Sequence, residues 1–506
     1  MVKKIVLLSM MLGFFTSNGL AQWRKMEMPQ ETVEQKAMLA TSSKDLKTWM
    51  TYLTSPECRG RLTGDIGFYK AVDYATNLFK QWGLQPAGDQ GTYRQSFTHP
   101  YVMPKEGGFF TLYIPSGKGW ISKQYDYPDD YMVGGTSDTG YLKNLPLVYV
   151  GYGITAPELS YDSYKNVDVK GKIVVCERDV PYQGEDPKLQ KAWMPYQYHN
   201  FKMTNAVKHG AAGMLYISTA GNPNPGYNKG FVYCCISDSV ASDIFRAAKK
   251  DHGMLKSKMN KTLKPYSFPL NCKADVKAIT EWHPEGVGCN VVAVIPGTDP
   301  VLKDEYITIG AHVDHIGFQP KLCPGALDNA SGSIIIMGVA KALATSGFKP
   351  KRTIVVTLFG GEETGLIGSD FMANHPVFPD KKHRLVINID CLGDGYGLGA
   401  MVAKKNSSLF SYIKDANDKT VQRPLMLIPG RDEIVTRPRT DEANFFVKGI
   451  PTISPFAFGS TVKIPYHVPG DTMDYIDFDV SRDATKWVAK LLMELSTVEK
   501  LDISSK

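Results

Sequence analysis

Tyr306-Ile307-Thr308-Ile309-Gly310-Ala311 is an apolar, largely β-branched run, and His312 and Asp314 follow it at once. The arrangement recurs downstream. Arg352 to Phe359 is a second such run, followed by Glu362 and Glu363. Leu385 to Ile389 is a third, followed by Asp390, and Asn290–Ile295 and Pro451–Phe456 are two more. Between them, Ser331 to Ser346 and Gly368 to His375 carry helical spacing, and Asp477 to Leu495 closes the chain as an amphipathic helix. Short apolar strands alternating with helices predict an α/β fold with a largely parallel sheet.

Upstream the texture differs. Residues 32–84 show apolar residues at three- and four-residue spacing, including Ala71, Tyr74, Ala75, Leu78 and Phe79, which predicts helices. From about 100 to 285, strand-like runs such as Leu147–Val150 and Lys172–Val175 sit among Gly, Pro and Asn clusters. One helix-like segment, Asn205–Gly213, leads into Met214–Ile217.

The 506 residues carry 58 Lys+Arg and 51 Asp+Glu, a net charge of +7. No basic run is denser than Lys349-Pro350-Lys351-Arg352, which argues against a nucleic-acid partner. Met1-Val2-Lys3-Lys4, the apolar run Ile5–Phe15 and Gly19-Leu20-Ala21 read as a signal peptide cut after Ala21. The expected location is therefore outside the cytoplasm, periplasmic or secreted. No Cys follows the cut and no later stretch has the apolar length of a membrane span, so no membrane anchor is expected. The eight cysteines contain no C-x-x-C pair, which argues against a structural zinc knuckle. Oligomeric state is not readable.

The polar residues past the strand ends belong on one rim, because ligands of open α/β sheets bind outside the carboxyl ends of strands. Singly each has an ordinary reading: Asp328-Asn329 suits a helix N-cap, and Glu362-Glu363 a solvated turn. Jointly, two histidines (His312, His467) and carboxylates Asp328, Glu363 and Asp390 suit a pair of divalent cations. Side chains at adjacent positions leave an extended backbone in opposite directions. One of Glu362 and Glu363 can thus hold metal while the other faces the attacking water as a general base. Asp314 lies two residues from His312, on the same side of an extended segment, and can fix its tautomer.

Five strings now combine: AHVDHIG (311–317), GALDNASG (325–332), GEETGLIGS (361–369), NIDCLG (388–393) and YHVPGDT (466–472). Together, and in this order, they resemble the metal-site motifs of metallopeptidase family 28. These are the co-catalytic zinc aminopeptidases related to glutamate carboxypeptidase and the transferrin receptor. The resemblance implies a zinc-exopeptidase fold, with a central mixed, mostly parallel sheet flanked by helices. It implies two Zn²⁺ ions, one held by His312 and Asp390, the other by Glu363 and His467, with Asp328 bridging. Glu362 would be the general base and Tyr466 a hydrogen-bond donor to the oxyanion. VYVGYGI (148–154), DVKGK (168–172) and KHGAAG (208–213) resemble an inserted β-rich protease-associated (PA) domain, and SPECRGR (55–61) the family's N-terminal segment.

The expected layout is signal peptide 1–21, N-terminal part of the catalytic domain 22–115, PA insert 116–285 and main catalytic part 286–506. The insert is expected to shape access to the cleft without supplying a metal ligand. Two departures stand out. Cys391 replaces a usual Met or other apolar residue, and Thr440-Asp441-Glu442 matches the family's substrate-side loop only loosely. The implied activity is an aminopeptidase acting on peptides with a free N-terminus, whose ammonium Glu362, Asp390 and Asp441 can receive. The alternatives are a carboxypeptidase, for which Arg431, Arg437 and Arg439 can grip a terminal carboxylate, a glutaminyl cyclase, or a receptor-like binding module.

Overall fold

Burial on both faces explains the strand runs. In the structure, a computed structural model describing residues 31–504 except 219, 220, 222, 224 and 225, all seven residues of the strand Thr353–Phe359 are buried. So are seven of the eight in Glu305–His312. Such two-sided burial is the signature of strands at the centre of a parallel sheet with helices on its faces. The signal peptide expected at 1–21 lies outside the described residues.

The larger sheet has nine strands. Glu305–His312 lies between Thr353–Phe359 and Lys382–Asn388 and is parallel to both, and Lys382–Asn388 is parallel to Thr452–Phe458. Antiparallel strands flank this parallel centre: Val287–Ile295 beside Thr353–Phe359, and Gly397–Ala403 beside Thr452–Phe458. Leu425–Gly430 forms the far edge, parallel to Gly397–Ala403. The result is the mixed sheet expected, with helices packed on it. Gly332–Thr345 buries eleven of its fourteen residues between the sheet and the C-terminal helix Phe478–Thr497. Asp477 caps that last helix, accepting from the amides of Asp479 and Val480. Inside it, Trp487 is fully buried and donates through Nε1 to Ile413 O at 3.0 Å.

A second, eight-stranded sheet carries the middle of the chain, with its own core around Phe110, Tyr149, Leu215 and Phe245. Gly140–Tyr149, Ile173–Glu177, Gly213–Ile217 and Val232–Ile236 run parallel in that order. The strand Phe109–Ser116 pairs with Phe268–Ala278 in this sheet, so the segment entering it begins on the N-terminal side of residue 116. A two-stranded ribbon, Tyr101–Pro104 against Thr280–His283, joins the two parts. All eight cysteines are free thiols, seven of them buried. No helix among the described residues is long and apolar enough to cross a membrane.

His99, just before that ribbon, is fully buried with its Nε2 2.7 Å from Thr364 Oγ1. Burial lowers its pKa from 6.5 to about 4, against a smaller opposing pull from Asp314. A histidine kept neutral by the fold stabilises it fully above the unfolded pKa, and that share is lost as pH falls towards the folded one. At roughly 1.4 kcal/mol per pKa unit, His99 contributes about 3 kcal/mol at pH 7 that disappears below pH 4. Urea unfolding measured from pH 7 to pH 4 is expected to show falling stability across this window, and His99→Gln to flatten the slope.

Candidate metal centre

Each residue of the centre stands where an element ends. His312 closes its strand and is buried, with Nδ1 3.1 Å from the main-chain oxygen of Asp314. That contact leaves Nε2 facing Asp328 Oδ1 at 3.3 Å and Asp390 Oδ1 at 3.5 Å. Asp328 lies in the turn before the helix Gly332–Thr345, held by two anchors. Asp471 accepts the amides of Leu327 and Asp328 at 2.9 and 3.0 Å. Asn329 donates to Ile389 O at 2.9 Å and accepts the Cys391 amide at 3.2 Å, which ties this turn to the end of the strand that precedes Asp390. The glycines of GALDNASG serve this close packing: a Cβ on Gly332 would lie 2.6 Å from Ile389 O, and one on Gly325, at φ +58°, 2.5 Å from the His315 ring.

Glu362 and Glu363 follow the strand Thr353–Phe359. The carboxylate of Asp314 lies 3.6 Å from His312 Nδ1, beyond hydrogen-bonding reach, and instead accepts the amides of Glu362 and Glu363 at 3.3 Å each. Asp314 therefore braces the neighbouring loop, while its main chain orients His312. Glu363 is buried and places Oε2 2.8 Å from His467 Nε2, which is also 3.1 Å from Asp328 Oδ2. Glu362 reaches the other side, with Oε2 4.0 Å from His312 Nε2. The adjacent pair diverges, although the two residues lie in a bend and a turn rather than on the extended backbone expected. Tyr466 is half exposed, its ring stacked on His467 at 3.8 Å between centroids.

The donor atoms fall into two groups that share Asp328. One is His312, Asp328 and Asp390; the other is His315, Asp328, Glu363 and His467. His315 was not among the candidates read from sequence. It is fully buried with Nδ1 2.6 Å from Glu363 Oε1. The signal for it was the second histidine in AHVDHIG, three residues after the first.

Charges of both signs are crowded and buried here. Burial opposes charge on His467, yet Glu363 and Asp328 lift its pKa to about 10. Burial also opposes ionisation of Glu363, but His467 brings it down to about 2. Burial, aided by Glu363, Asp390 and Asp441, raises Glu362 well above the ordinary carboxylate value. Burial raises Asp441 to about 8. The Nε2 atoms of His312 and His315 are buried without a hydrogen-bond partner among the described residues. Imidazole nitrogens and carboxylate oxygens aimed at two shared points, with no thiolate among them, fit two divalent ions of the zinc type.

Residues 290–492 match the model of peptidase family M28, and residues 143–243 that of the PA domain. The chain therefore carries a region similar to family M28 and, in its middle, one similar to the PA domain. Among curated proteins it is similar to a probable leucine aminopeptidase 1 of Trichophyton verrucosum, 28% identical over 224 residues. That match covers 41% of this chain, and the chain spans only 58% of the relative's length. Among solved structures it is similar to an aminopeptidase from Aneurinibacillus sp. strain AM-1, with a TM-score of 0.63, 20% identity and coverage of 93% and 98% of the two chains. A zinc aminopeptidase from Bacillus subtilis superposes with a TM-score of 0.60 at 18% identity, covering 92% and 97%. At these identities the likeness is one of fold.

The centre rests on Arg61, which is fully buried. Its guanidinium donates to Val313 O at 2.8 Å, Leu53 O at 2.7 Å, Pro324 O at 2.6 Å and Gly325 O at 2.9 Å. Replacing it with Met leaves these carbonyls without a donor. Arg61→Met is expected to destabilise the protein by about 3 kcal/mol or more in urea unfolding, the scale of breaking a buried charged network.

Proposed function

We propose that this protein is an exported dinuclear zinc aminopeptidase that removes N-terminal residues from peptides. The observation that carries the reading is the pair of donor groups sharing Asp328, with Glu362 beside them on the wall of the same cleft as Glu363, Tyr466 and His467. The two structural relatives described above are both aminopeptidases by name. Export rests on the N-terminal sequence alone.

His312 and Asp390 would hold one ion, Glu363 and His467 the other, and Asp328 both. Bound metal would polarise the scissile carbonyl and acidify the attacking water. Glu362 takes the proton of that water on its carboxylate and hands it to the leaving amine. Tyr466 directs its hydroxyl to the developing oxyanion. The substrate ammonium would be received by carboxylate, for which Glu362, Asp390 and Asp441 are the candidates. Asp314 acts through others, orienting His312 and the Glu362–Glu363 loop.

Glu362→Gln is expected to retain bound metal and lose about 10²–10⁴ in kcat on leucine p-nitroanilide. Glu363→Gln should instead lower the metal content determined by elemental analysis. Wild-type turnover in both variants would refute the assignment of roles.

One observation favours a second reading, a carboxypeptidase: Arg437 and Arg439 line the cleft, where they can grip a carboxylate. One peptide assayed free, N-acetylated and C-amidated separates the two. Acetylation is expected to abolish cleavage and amidation to preserve it; the reverse pattern would make the enzyme a carboxypeptidase.

A further inference from the structure

We propose that Arg437 and Arg439 form a carboxylate-recognition site beside the metal centre, so that the enzyme favours peptides carrying an anionic group within a residue or two of the scissile bond. The inference rests on the aminopeptidase reading and names its substrate class.

Both arginines line the cleft that Glu362, Glu363 and His467 also line. Among the described residues neither has a carboxylate within 4.0 Å, whereas Arg178 in the same cleft is paired with Asp179 at 3.2 Å. Arg439 makes no hydrogen bond, ion pair or ring contact at all among the described residues. The pair is not there to neutralise the acidic centre, since no ion pair joins them to it. Nor is their segment a free surface loop. Arg437 donates its amide to Gln197 Oε1 at 2.9 Å, and its guanidinium lies 5.0 Å over the Tyr198 ring. Arg431, six residues earlier in the sequence, donates to Gln190 Oε1.

The loop is thereby pinned across to the second sheet's domain. Stacking on Tyr198 occupies the face of the Arg437 guanidinium and leaves its in-plane N–H groups available. That edge matches a carboxylate in bidentate fashion. Two cationic groups in a cleft with low-dielectric walls also raise the local concentration of anionic substrate. Because the arginines share one cleft with Glu362, Glu363 and His467, three sources of carboxylate are candidates. These are an acidic side chain on the first residue, one on the second, and the chain terminus of a dipeptide.

Three matched pairs tested on the metal-loaded full chain distinguish them: Glu-Leu-amide against Gln-Leu-amide, Leu-Glu-amide against Leu-Gln-amide, and Leu-Leu against Leu-Leu-amide. At least one charged member is expected to be preferred by about 10-fold or more in kcat/KM, chiefly through KM, as charge-assisted hydrogen bonds allow. The pair that shows it identifies the source. Arg439→Gln and Arg437→Gln, checked for an unchanged melting temperature, are expected to bring that ratio to within about 3-fold of unity. Ratios near unity for all three pairs in the wild type would overturn the inference, as would a preference untouched in both variants. Hydrolysis of no pair, neutral members included, would instead remove the aminopeptidase reading and this inference with it.

Discussion

The centre depends on one buried positive charge. Arg61 takes its guanidinium fully out of water, which alone would cost several kcal/mol. It recovers this through four carbonyl acceptors and the nearby negative charges of Asp471, Asp314 and Asp328. Those carbonyls are not scattered. Val313 follows His312, and Pro324 and Gly325 open the turn that carries Asp328. One rigid fork thus sets the spacing between the strand end that supplies a histidine and the turn that supplies the shared carboxylate.

The same logic repeats in weaker form around the site. Asp314 grips the amides of Glu362 and Glu363, Asp471 those of Leu327 and Asp328, and Asn329 links its own turn to Ile389 and Cys391. The loop of Glu362 and Glu363 and the turn of Asp328 are each held by a side chain that is itself buried. These anchors bring the donor atoms of the two groups close together. The imidazoles and carboxylates then titrate against one another, as the opposed shifts of His467 and Glu363 record.

What the sequence made legible follows from periodicity. The central strands are apolar on both faces, so runs such as 306–311 and 352–359 stand out, and the polar residues after them fall on the same rim of the sheet. The outer strands Gly397–Ala403 and Leu425–Gly430 did not stand out. They carry Gly and Pro and alternate poorly, and their pairing is decided by the neighbouring strand rather than by their own residues. Arg61, Asp471 and Asn329 were visible only as members of motifs. Their partners are main-chain groups, which leave no trace in side-chain identity. His315 was hidden differently, since a histidine adds nothing to strand or helix spacing and its role comes from packing against Glu363.

The cleft, finally, belongs to neither part alone. Its wall on the second sheet's side begins at Arg178 and Asp179, just past the strand Ile173–Glu177. That strand end is fixed from behind by Lys202, a fully buried lysine whose Nζ donates to Glu177 O at 2.7 Å and also to Asp179 O. Glu177 itself is buried, accepting from Tyr149 at 2.9 Å and contacting His252 at 2.5 Å. Such a network is an expensive way to hold a loop in a domain whose described residues supply nothing to either donor group. It makes physical sense if the loop's position matters to what enters the cleft. The segment 431–439 meets that wall from the larger sheet's side through Gln190, Gln197 and Tyr198. Both donor groups thus lie at the rim of one sheet, and the cleft beside them is lined from both parts of the chain.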